Sequence, residues 1–410
     1  MNRRLRVELD FGSTRTPVGT LGWDTAAREA VLEWDSGFAT RPVPLSPLLV
    51  RTHVGLLRPR GRAFDGLPGF IGDSLPDGWG RLLMDRALAT RYEMSAAATD
   101  LDRLAMIGCH GMGALTYQPE AAVGAEETID LDWFAQLVPQ VESGIATTEL
   151  DRLRRMAGGS QGARPKFVAQ LAPDGQLHSH RQPWTTGWRQ VLIKGRASRD
   201  PVGMVEAEAA YADMARAARI TMADTAVIRT MTGEPFFFTD RFDRAGASRL
   251  HMQTAAALLD VDFRAATMDY AELLKLVQVM TRDQRAVEQM FRRMVFNARA
   301  WNRDDHLKNH SFLMGQGGEW QLAPAYDLTF SAGPGGEHSL LINGAGRQPG
   351  RAGFVNVAER SGLKPARALD ILDEVDAAIG RWTEFSEIAK VTDGLRRQIA
   401  VALSTAAGWS

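Results

Sequence analysis

The C-terminal third of the chain constrains the fold most strongly, because an apolar helix leads directly into a polar loop. Six apolar side chains recur at helical spacing: Val287, Met290, Phe291, Met294, Val295 and Ala298. They predict a buried helix, and Thr281-Arg-Asp-Gln284 fits a capping box at its start. The helix leads into Trp301-Asn-Arg-Asp-Asp-His-Leu-Lys-Asn-His310. Short apolar runs around Gly315-Gln-Gly-Gly318 then predict a hairpin, and Pro324-Ala-Tyr-Asp-Leu328 follows it.

Asp304 and Asn309 in the polar loop have the spacing of a protein-kinase catalytic loop. In kinases the Asp accepts the proton of the substrate hydroxyl, and the Asn helps to hold a metal ion. A hairpin then separates that loop from a second metal-binding Asp, and here a hairpin separates Asn309 from Asp327. Oxygen ligands of this kind suit Mg²⁺. The order of helix, loop, hairpin and Asp therefore favours phosphoryl transfer over ordinary turn and cap residues.

The charge of the chain reverses near its middle. Residues 120–151 contain eight acidic side chains and no Lys or Arg, whereas residues 152–199 contain ten basic side chains and one acid, Asp174. A local basic excess indicates either an anionic ligand or a solvated face. The motifs inside the basic stretch must decide between these two interpretations.

A glycine-rich basic segment, Gly158-Gly-Ser-Gln-Gly-Ala-Arg-Pro-Lys166, precedes the alternating strand Phe167-Val-Ala-Gln-Leu171. Backbone N–H groups and positive side chains of such a loop can cradle phosphates. The segment is not a Walker A motif, because Phe167 follows Lys166, and it does not match Gly-x-Gly-x-x-Gly. A flexible hairpin turn is the alternative interpretation.

Two further segments suggest a nucleotide site. Gln190-Val-Leu-Ile-Lys194 is an apolar strand that ends in Lys, similar to the Val-Ala-Ile-Lys strand whose Lys grips nucleotide phosphates; a surface Lys on an edge strand is the alternative. A predicted helix over residues 205–220 carries Glu206 and Glu208, either of which could pair with Lys194. Pro235-Phe-Phe-Phe-Thr-Asp-Arg-Phe-Asp-Arg244 predicts a buried strand with a polar exit, which suits a hinge whose backbone reads adenine.

Composition excludes several classes of protein. The chain has 410 residues, 45% hydrophobic and 24% charged, with a formal net charge of −1. These values are typical of a soluble globular protein, and no global field favours nucleic acid or anionic lipid. Cys109 is the only cysteine, which excludes an internal disulfide and a multi-cysteine metal site. With no signal peptide or apolar run of transmembrane length, the sequence predicts a cytoplasmic protein without a membrane partner.

Several elements, taken together, resemble the HipA-like serine/threonine kinases, toxins of bacterial toxin–antitoxin modules. They are Leu75-Pro-Asp-Gly-Trp-Gly-Arg81, Gly159-Ser-Gln-Gly-Ala-Arg-Pro-Lys166, Val191-Leu-Ile-Lys194, Asp240-Arg-Phe-Asp-Arg244, Asp304-Asp-His-Leu-Lys-Asn309 and Ala323-Pro-Ala-Tyr-Asp327. The resemblance covers nearly the whole chain. It implies an α+β, protein-kinase-like two-lobe fold with an N-terminal β-rich extension and an all-α C-terminal lobe. We expect domains at residues 1–125, 126–243 and 244–410.

The resemblance also implies roles for individual residues, with ATP and Mg²⁺ as cofactors. Asp304 would be the catalytic base, and Asn309 and Asp327 the Mg²⁺ ligands. The implied ATP-binding residues are Gly162, Ala163, Arg164, Pro165 and Lys166 in the phosphate loop, Lys194 with Glu208, Asp240, Arg241 and Phe242 at the adenine hinge, and His306 and Tyr326 beside the nucleotide. Ser160 falls where the family carries an autophosphorylated serine in a mobile loop.

The implied reaction is transfer of the ATP γ-phosphate to a protein Ser or Thr. The family's known targets are translation components such as aminoacyl-tRNA synthetases. A small helix-turn-helix antitoxin is the implied partner, and DNA would be reached only through it.

Two alternatives remain open from the sequence. A metal-dependent hydrolase could use Asp304, Asp305, His306 and His310, because the two histidines would share one face of a helix. Against this, the first His is not followed by the Glu of zinc proteases, and Lys308 would repel a cation. A catalytically silent, kinase-shaped binding module would predict loss of Asp304, Asn309 or Asp327, yet all three are present.

Overall fold

A computed structural model describes residues 4–91, 98–121, 128–145, 148–265 and 267–409. The chain divides into two compact units. The first comprises residues 1–198, 229–262 and 313–319, and the second comprises residues 199–228, 263–312 and 320–410. The predicted boundary at 125/126 lies outside the described residues, and the predicted division into three domains stays a prediction.

The first 198 residues contain eight strands and six helices among the described residues. The strands are β1 (Arg4–Asp10), β2 (Arg15–Asp24), β3 (Glu29–Trp34), β4 (Leu56–Leu57), β5 (Leu115–Gln118), β6 (Lys166–Leu171), β7 (Leu177–Ser179) and β8 (Arg189–Lys194). The helices are α1 (Ser36–Thr40), α2 (Gly69–Gly72), α3 (Gly78–Arg91), α4 (Asp100–Ile107), α5 (Leu131–Glu142) and α6 (Leu150–Ala157).

Helices predominate in the remainder of the described chain. The helices are α7 (Met204–Ala217), α8 (Ala255–Leu259), α9 (Tyr270–Thr281), α10 (Gln284–Arg299), α11 (Arg351–Arg360), α12 (Pro365–Ile379), α13 (Trp382–Ile388) and α14 (Asp393–Ala407). The strands are β9 (Thr225–Arg229), β10 (Pro235–Asp240), β11 (Arg244–Ala245), β12 (Ser248–Arg249), β13 (His251–Thr254), β14 (Met268–Asp269), β15 (Ser311–Met314), β16 (Trp320–Leu322) and β17 (Leu340–Leu341). Short 3₁₀ turns lie at Leu307–Asn309 and Pro334–Gly336.

The two largest arrays of strands in the first unit are antiparallel. In the N-terminal sheet the strand order is β4-β3-β2-β1-β5. The period-two pattern of β1 places Leu5, Val7 and Leu9 in the core, where all three are fully buried. In the second array β7, β6, β8 and β10 lie side by side in that order, with α6 against β6. The predicted β-rich N-terminal region is therefore present.

Helices dominate the second unit. Helix α10 packs against α9 and α12, and α13 packs against α7. Five of the predicted stripe residues of α10, from Val287 to Val295, are fully buried, which confirms the predicted core helix. The predicted α+β class is confirmed as well, since the molecule is 38% helical and 21% strand.

The predicted capping box at Thr281 is wrong. Thr281 is the last residue of α9, and its hydroxyl donates to the carbonyl of Val277. The N-cap of α10 is Asp283, whose carboxylate accepts from the backbone N–H of Arg285. A carboxylate at this position satisfies an N–H group that has no partner within the helix.

Within the described residues no helix combines the length and the apolar character that a membrane span requires.

Candidate active site

The polar loop after α10 is anchored to the helix that precedes it. The backbone N–H of Asn302 donates to the carbonyl of Asn297 at 2.9 Å, and its side-chain amide donates to the Asn297 side-chain oxygen at 3.0 Å. Both asparagines are buried. The loop therefore begins from a fixed point on the core helix.

The neighbouring residues Asp304 and Asp305 lie in opposite environments. The Asp304 side chain is 61% exposed, whereas the Asp305 side chain is fully buried. Asp305 accepts hydrogen bonds from the Tyr270 hydroxyl at 2.9 Å, His338 Nδ1 at 3.1 Å and the Ser339 N–H at 2.9 Å. The buried carboxylate thus holds the loop in place, and the exposed one is presented to solvent.

Hydrogen bonding keeps the Asp305 carboxylate ionised. Burial alone would raise its pKa, but the hydrogen bond from His338 Nδ1, with that from the Tyr270 hydroxyl, outweighs burial and lowers the pKa below the usual value. Tyr270 in turn accepts from the Asn297 amide at 2.9 Å. The network therefore joins the start of α9, the core helix α10 and the polar loop.

Asn309 is the last residue of the short 3₁₀ turn Leu307–Asn309. Its backbone N–H donates to the His306 carbonyl at 2.8 Å, and its side-chain Nδ2 donates to the Asp304 carbonyl at 2.6 Å. These bonds orient the Asn309 amide so that Oδ1 is the atom a cation would use. His306 Nε2 lies 3.8 Å from the Asp304 carboxylate.

The segment with Asp327 is tied to the same turn. The Tyr326 hydroxyl donates to the Lys308 carbonyl at 2.6 Å and also bonds the Ser311 hydroxyl. Asp327 is half-buried and has a left-handed backbone, with φ of 57°. The second unit thus brings together the segments of Asp304, His306, Asn309, Tyr326 and Asp327.

The glycine-rich loop of the first unit follows α6. Ser160 is 2% exposed, and its hydroxyl donates to the Ala157 carbonyl at 2.7 Å. Lys166 is also 2% exposed, and its Nζ donates to the Gln161 carbonyl at 2.5 Å. In this conformation both side chains are therefore bonded to backbone carbonyls of the loop and of the end of α6.

Residues 73–79, in a separate segment of the first unit, form hydrogen bonds with the glycine-rich loop. The Gly162 N–H donates to the Asp77 carboxylate, and the Trp79 N–H donates to the Gly162 carbonyl at 3.1 Å. Gly78 has φ of 45°, and a Cβ there would lie 2.6 Å from the Ala163 Cα. Only glycine permits this close approach without displacing backbone.

The two lysines of the predicted nucleotide site lie on paired strands. Lys166 in β6 is the register partner of Lys194 in β8. Lys194 is 5% exposed, and its Nζ lies 5.7 Å from the ring centre of Phe237 in β10. Gly162 and Ala163 are half-buried and exposed, respectively, and Arg164 and Pro165 complete the turn into β6.

The predicted hinge residues have different surroundings. Asp240 forms a bidentate ion pair with Arg189, with nitrogen–oxygen distances of 2.7 and 3.0 Å. Arg241 directs its buried side chain to Asp243, and its backbone N–H donates to the Gln190 carbonyl at 2.8 Å. The Arg241 carbonyl accepts from the N–H of Arg244 at 3.2 Å, so its side chain and both of its polar backbone groups have partners within the chain. Phe242 is half-buried.

The acidic residues predicted to partner Lys194 lie on α7 of the second unit. Glu206 and Glu208 are 6% and 4% exposed. Buried carboxylates of this kind require partners.

Matches to two protein-family models show which family the chain belongs to. The family model of the HipA-like C-terminal domain matches residues 158–382, and that of the HipA N-terminal domain matches residues 10–118. This chain belongs to the HipA-like family. The matched ranges contain the glycine-rich loop, the polar loop and Asp327.

Solved structures similar to this HipA-like chain include HipA of Shewanella oneidensis MR-1, from a complex with HipB and its operator DNA. The TM-score is 0.70 at 16% identity, over 98% of this chain and 95% of that chain. A proinflammatory kinase of Helicobacter pylori, CtkA, matches with a TM-score of 0.34 at 12% identity, over 53% of this chain and 90% of that chain. The first match shows the shared fold. No curated protein sequence matches the chain.

The histidine pair of the hydrolase alternative does not form in this HipA-like chain. His306 precedes a 3₁₀ turn and His310 follows it, so the two do not share a helix face. His310 is buried, and burial lowers its pKa to about 4. In the described chain, the group of His, Cys or acidic side chains close enough to hold a metal is instead Cys109, His110 and Glu120.

Sequence reasoning missed the residues that support the site in this HipA-like chain. The sequence singles out Asp305 only as a metal ligand of the hydrolase alternative. Tyr270 and His338 give no local signal, because their partner Asp305 lies 35 and 33 residues away. Asp77 lies inside the quoted Leu75–Arg81 element, but its contact with Gly162 spans 85 residues. Contacts at such separations follow from the fold and not from local spacing.

Proposed function

We propose that this chain is a serine/threonine protein kinase, which transfers the γ-phosphate of ATP to a protein hydroxyl. One observation carries the proposal: the solvent-exposed Asp304 carboxylate stands on a loop fixed by the buried Asp305, five residues before Asn309. Phosphoryl transfer depends mainly on positioning and on neutralising charge. A rigid loop with one exposed carboxylate suits the first requirement, and a bound Mg²⁺ would meet the second.

Asp304 would accept the proton of the substrate hydroxyl during transfer. Asn309 Oδ1 and the Asp327 carboxylate would hold Mg²⁺, because both supply the oxygen ligands that hard cations prefer. When bound, Mg²⁺ neutralises charge on the transferred phosphoryl group. Tyr326 supports this pair by bonding the turn that carries Asn309.

The first unit would supply the groups that bind the nucleotide phosphates. The proposed phosphate contacts are the ammonium of Lys194 and backbone N–H groups of the Gly162–Lys166 segment. Within this segment Pro165 has no N–H, and the Gly162 N–H would first have to leave the Asp77 carboxylate. Lys166 would exchange its bond to the Gln161 carbonyl for a phosphate oxygen. The backbone from Asp240 to Phe242 would read adenine. We keep Glu208 and His306 as proposed ATP-binding residues.

Ser160 would be an autophosphorylation site that switches the enzyme off. Its hydroxyl is buried against Ala157, so phosphorylation requires the loop to leave this conformation. Gly158 and Gly162, both with positive φ, permit such movement. The phosphate adds about −1.5 to −2 charge, and the arginines of α6 lie close in sequence to receive it.

The partners follow from the Shewanella relative, whose structure contains HipB and operator DNA. We propose that a small helix-turn-helix antitoxin binds this chain and that DNA is reached through the antitoxin. The formal net charge of −1 supports this, since no global field favours DNA. The proposed target is a translation component, such as an aminoacyl-tRNA synthetase.

The decisive experiment incubates the purified chain and a cell lysate with γ-labelled ATP and Mg²⁺. Wild type should label protein Ser or Thr, and Asp304→Ala should lower the rate by ~10² to 10⁴. Asp370→Ala is the matched control, because Asp370 is an exposed carboxylate on α12 of the same unit. Transfer by Asp304→Ala at the wild-type rate would refute the assignment of the base.

A further inference from the structure

A cavity in the first unit is lined by an unusual number of arginines. Its volume is about 340 Å³, and Arg15, Arg181, Arg241, Arg244 and Arg249 all line it. We call this cavity the arginine pocket. Cavities above about 300 Å³ can enclose small organic ligands.

The arginine pocket has more cations than carboxylates. Among the residues that the structure describes, three carboxylates pair with the five guanidinium groups. Asp10 lies 3.1 Å from Arg15 and 3.5 Å from Arg249, Glu120 lies 2.7 Å from Arg181, and Asp243 lies 2.8 Å from both Arg241 and Arg244. Two of the acids are therefore shared between two cations each. The balance leaves an excess of two positive charges.

Most of this charge is removed from water. The side chains of Arg241, Arg244, Arg181 and Arg249 are between 2% and 10% exposed. Several of their N–H groups bond carbonyls of residues 109–113, which fixes that loop but neutralises no charge. Burial and the neighbouring Arg241 lower the pKa of Arg244. A bound anion would relieve this repulsion.

Two residues that line the cavity have buried acceptor atoms, and these atoms require hydrogen-bond donors on a ligand in addition to negative charge. Gln170 is 2% exposed, and its amide nitrogen donates to the Gln182 carbonyl at 2.9 Å, which fixes the orientation of the amide. His180 Nδ1 donates to the Val168 carbonyl at 3.0 Å, so Nε2 carries a lone pair. Within the described residues, Gln170 Oε1 and His180 Nε2 have no hydrogen-bond partner. Both residues line the cavity, but these two atoms are closed off from solvent. A ligand that also carries hydroxyl donors would satisfy them once the two side chains turn toward it.

A metal ion does not suit this place, although Cys109, His110 and Glu120 come within 4.8 Å of one another. Arg181 already occupies a Glu120 oxygen at 2.7 Å, and the surrounding guanidinium groups repel a cation. Burial and Glu120 raise the pKa of the Cys109 thiol, which disfavours the thiolate that a metal requires. The chemistry of the cavity is that of an anion site.

We propose that the arginine pocket binds a small phosphate monoester, in which a doubly charged phosphoryl group is carried on a hydroxyl-bearing body of sugar size. The phosphoryl group matches the excess of two charges, and arginine suits phosphate because it can offer paired N–H donors. The hydroxyls would bond Gln170 and His180 after these side chains turn toward the cavity. This proposal does not depend on the kinase assignment.

The test is calorimetry with the full chain and three probes: ribose 5-phosphate, ribose and succinate. Saturating adenylyl imidodiphosphate and Mg²⁺ are present throughout, so that a nucleotide site is filled. Ribose 5-phosphate should bind one to one, and its affinity should fall as salt rises. Ribose should not bind, and succinate should bind at least tenfold more weakly. Absence of saturable binding by ribose 5-phosphate, or tighter binding of succinate, would overturn the proposal.

A pair of variants assigns the binding to the cavity. Arg15 has a side chain 57% exposed at the cavity, so Arg15→Gln should fold normally. The variant loses one hydrogen bond to a charged group, which contributes about 1.5 kcal/mol, so its affinity for ribose 5-phosphate should fall about tenfold. Arg58→Gln is the control, because Arg58 forms surface ion pairs with Asp24 and Glu29 away from the cavity lining. Equal affinities of Arg15→Gln and Arg58→Gln would refute the location.

Discussion

Replacing Asp305 with asparagine should destabilise the second unit, whereas the same change at Asp304 should not. Asp305 Oδ2 accepts from the Tyr270 hydroxyl and from His338 Nδ1, and Oδ1 accepts from the Ser339 N–H. Asparagine can retain one oxygen toward Ser339. Its amide group would then face Tyr270 and His338 with N–H groups of its own.

The magnitude follows from the two lost contacts. A hydrogen bond to a charged group contributes about 1.5–3 kcal/mol net, and the variant loses two such bonds, those from Tyr270 and His338. We therefore expect Asp305→Asn to lose about 3–6 kcal/mol. Asp304 is 61% exposed, and exposed substitutions usually change stability by less than about 0.5 kcal/mol.

Hydrogen-exchange mass spectrometry measures this effect within one unit. Peptides covering residues 270–312 and 335–345 should lose protection in Asp305→Asn, and peptides of the N-terminal sheet should not. Asp304→Asn should match wild type in every peptide. Wild-type protection of residues 270–312 in Asp305→Asn would refute the argument that this carboxylate holds the loop.

The pKa of Asp305 adds a pH dependence. Burial opposes ionisation, but the hydrogen bond from His338 and further contacts lower the pKa in the folded protein. The stability contributed by such a group is present above its unfolded pKa, about 3.9, and is lost as pH falls through the folded value. The difference between wild type and Asp305→Asn should therefore be full at pH 7 and shrink below about pH 4. A difference that stays constant in acid would exclude a carboxylate origin.

Three further outcomes follow from the proposed activity. Asp327→Ala should weaken Mg²⁺-ATP binding in calorimetry, whereas Asp304→Ala should not, because only Asp327 is a proposed metal ligand. Activity should require Mg²⁺ or Mn²⁺ and survive a zinc-selective chelator; stoichiometric zinc whose removal abolishes activity would favour the hydrolase instead. Ser160→Ala should remain active and unphosphorylated, and Ser160→Asp should bind ATP poorly. An unmodified Ser160 peptide after prolonged incubation with Mg²⁺-ATP would contradict self-inactivation.

Periodicity predicted the core helices because it depends on local spacing alone. The stripe from Val287 to Val295 is buried as expected. The start of α10 was misplaced because Thr281 and Asp283 are both good cap residues, and only the structure shows that Thr281 still belongs to α9. Local patterns therefore give the identity of an element more securely than its ends.

The polar interior could not be predicted in the same way. Arg292 and Arg293 on α10 are 1% and 3% exposed. Arg292 pairs with Glu374 of α12 at 2.6 Å, and Arg293 donates to the Ala323 carbonyl at 2.7 Å. Both partners lie far away in sequence. A charged residue can be buried only where the fold brings a partner, and the helical pattern contains no information about that partner.

The two neighbouring carboxylates show why a motif alone left two chemistries open. The hydrolase alternative needs Asp305 and His310 as metal ligands, but the Asp305 carboxylate is bound by Tyr270 and His338, and His310 is buried against the Asp305 carbonyl. Recruiting either to a metal would dismantle the network that holds the loop. Asp305, and not Asp304, holds the loop in place. The exposed carboxylate therefore favours proton transfer over metal-dependent hydrolysis.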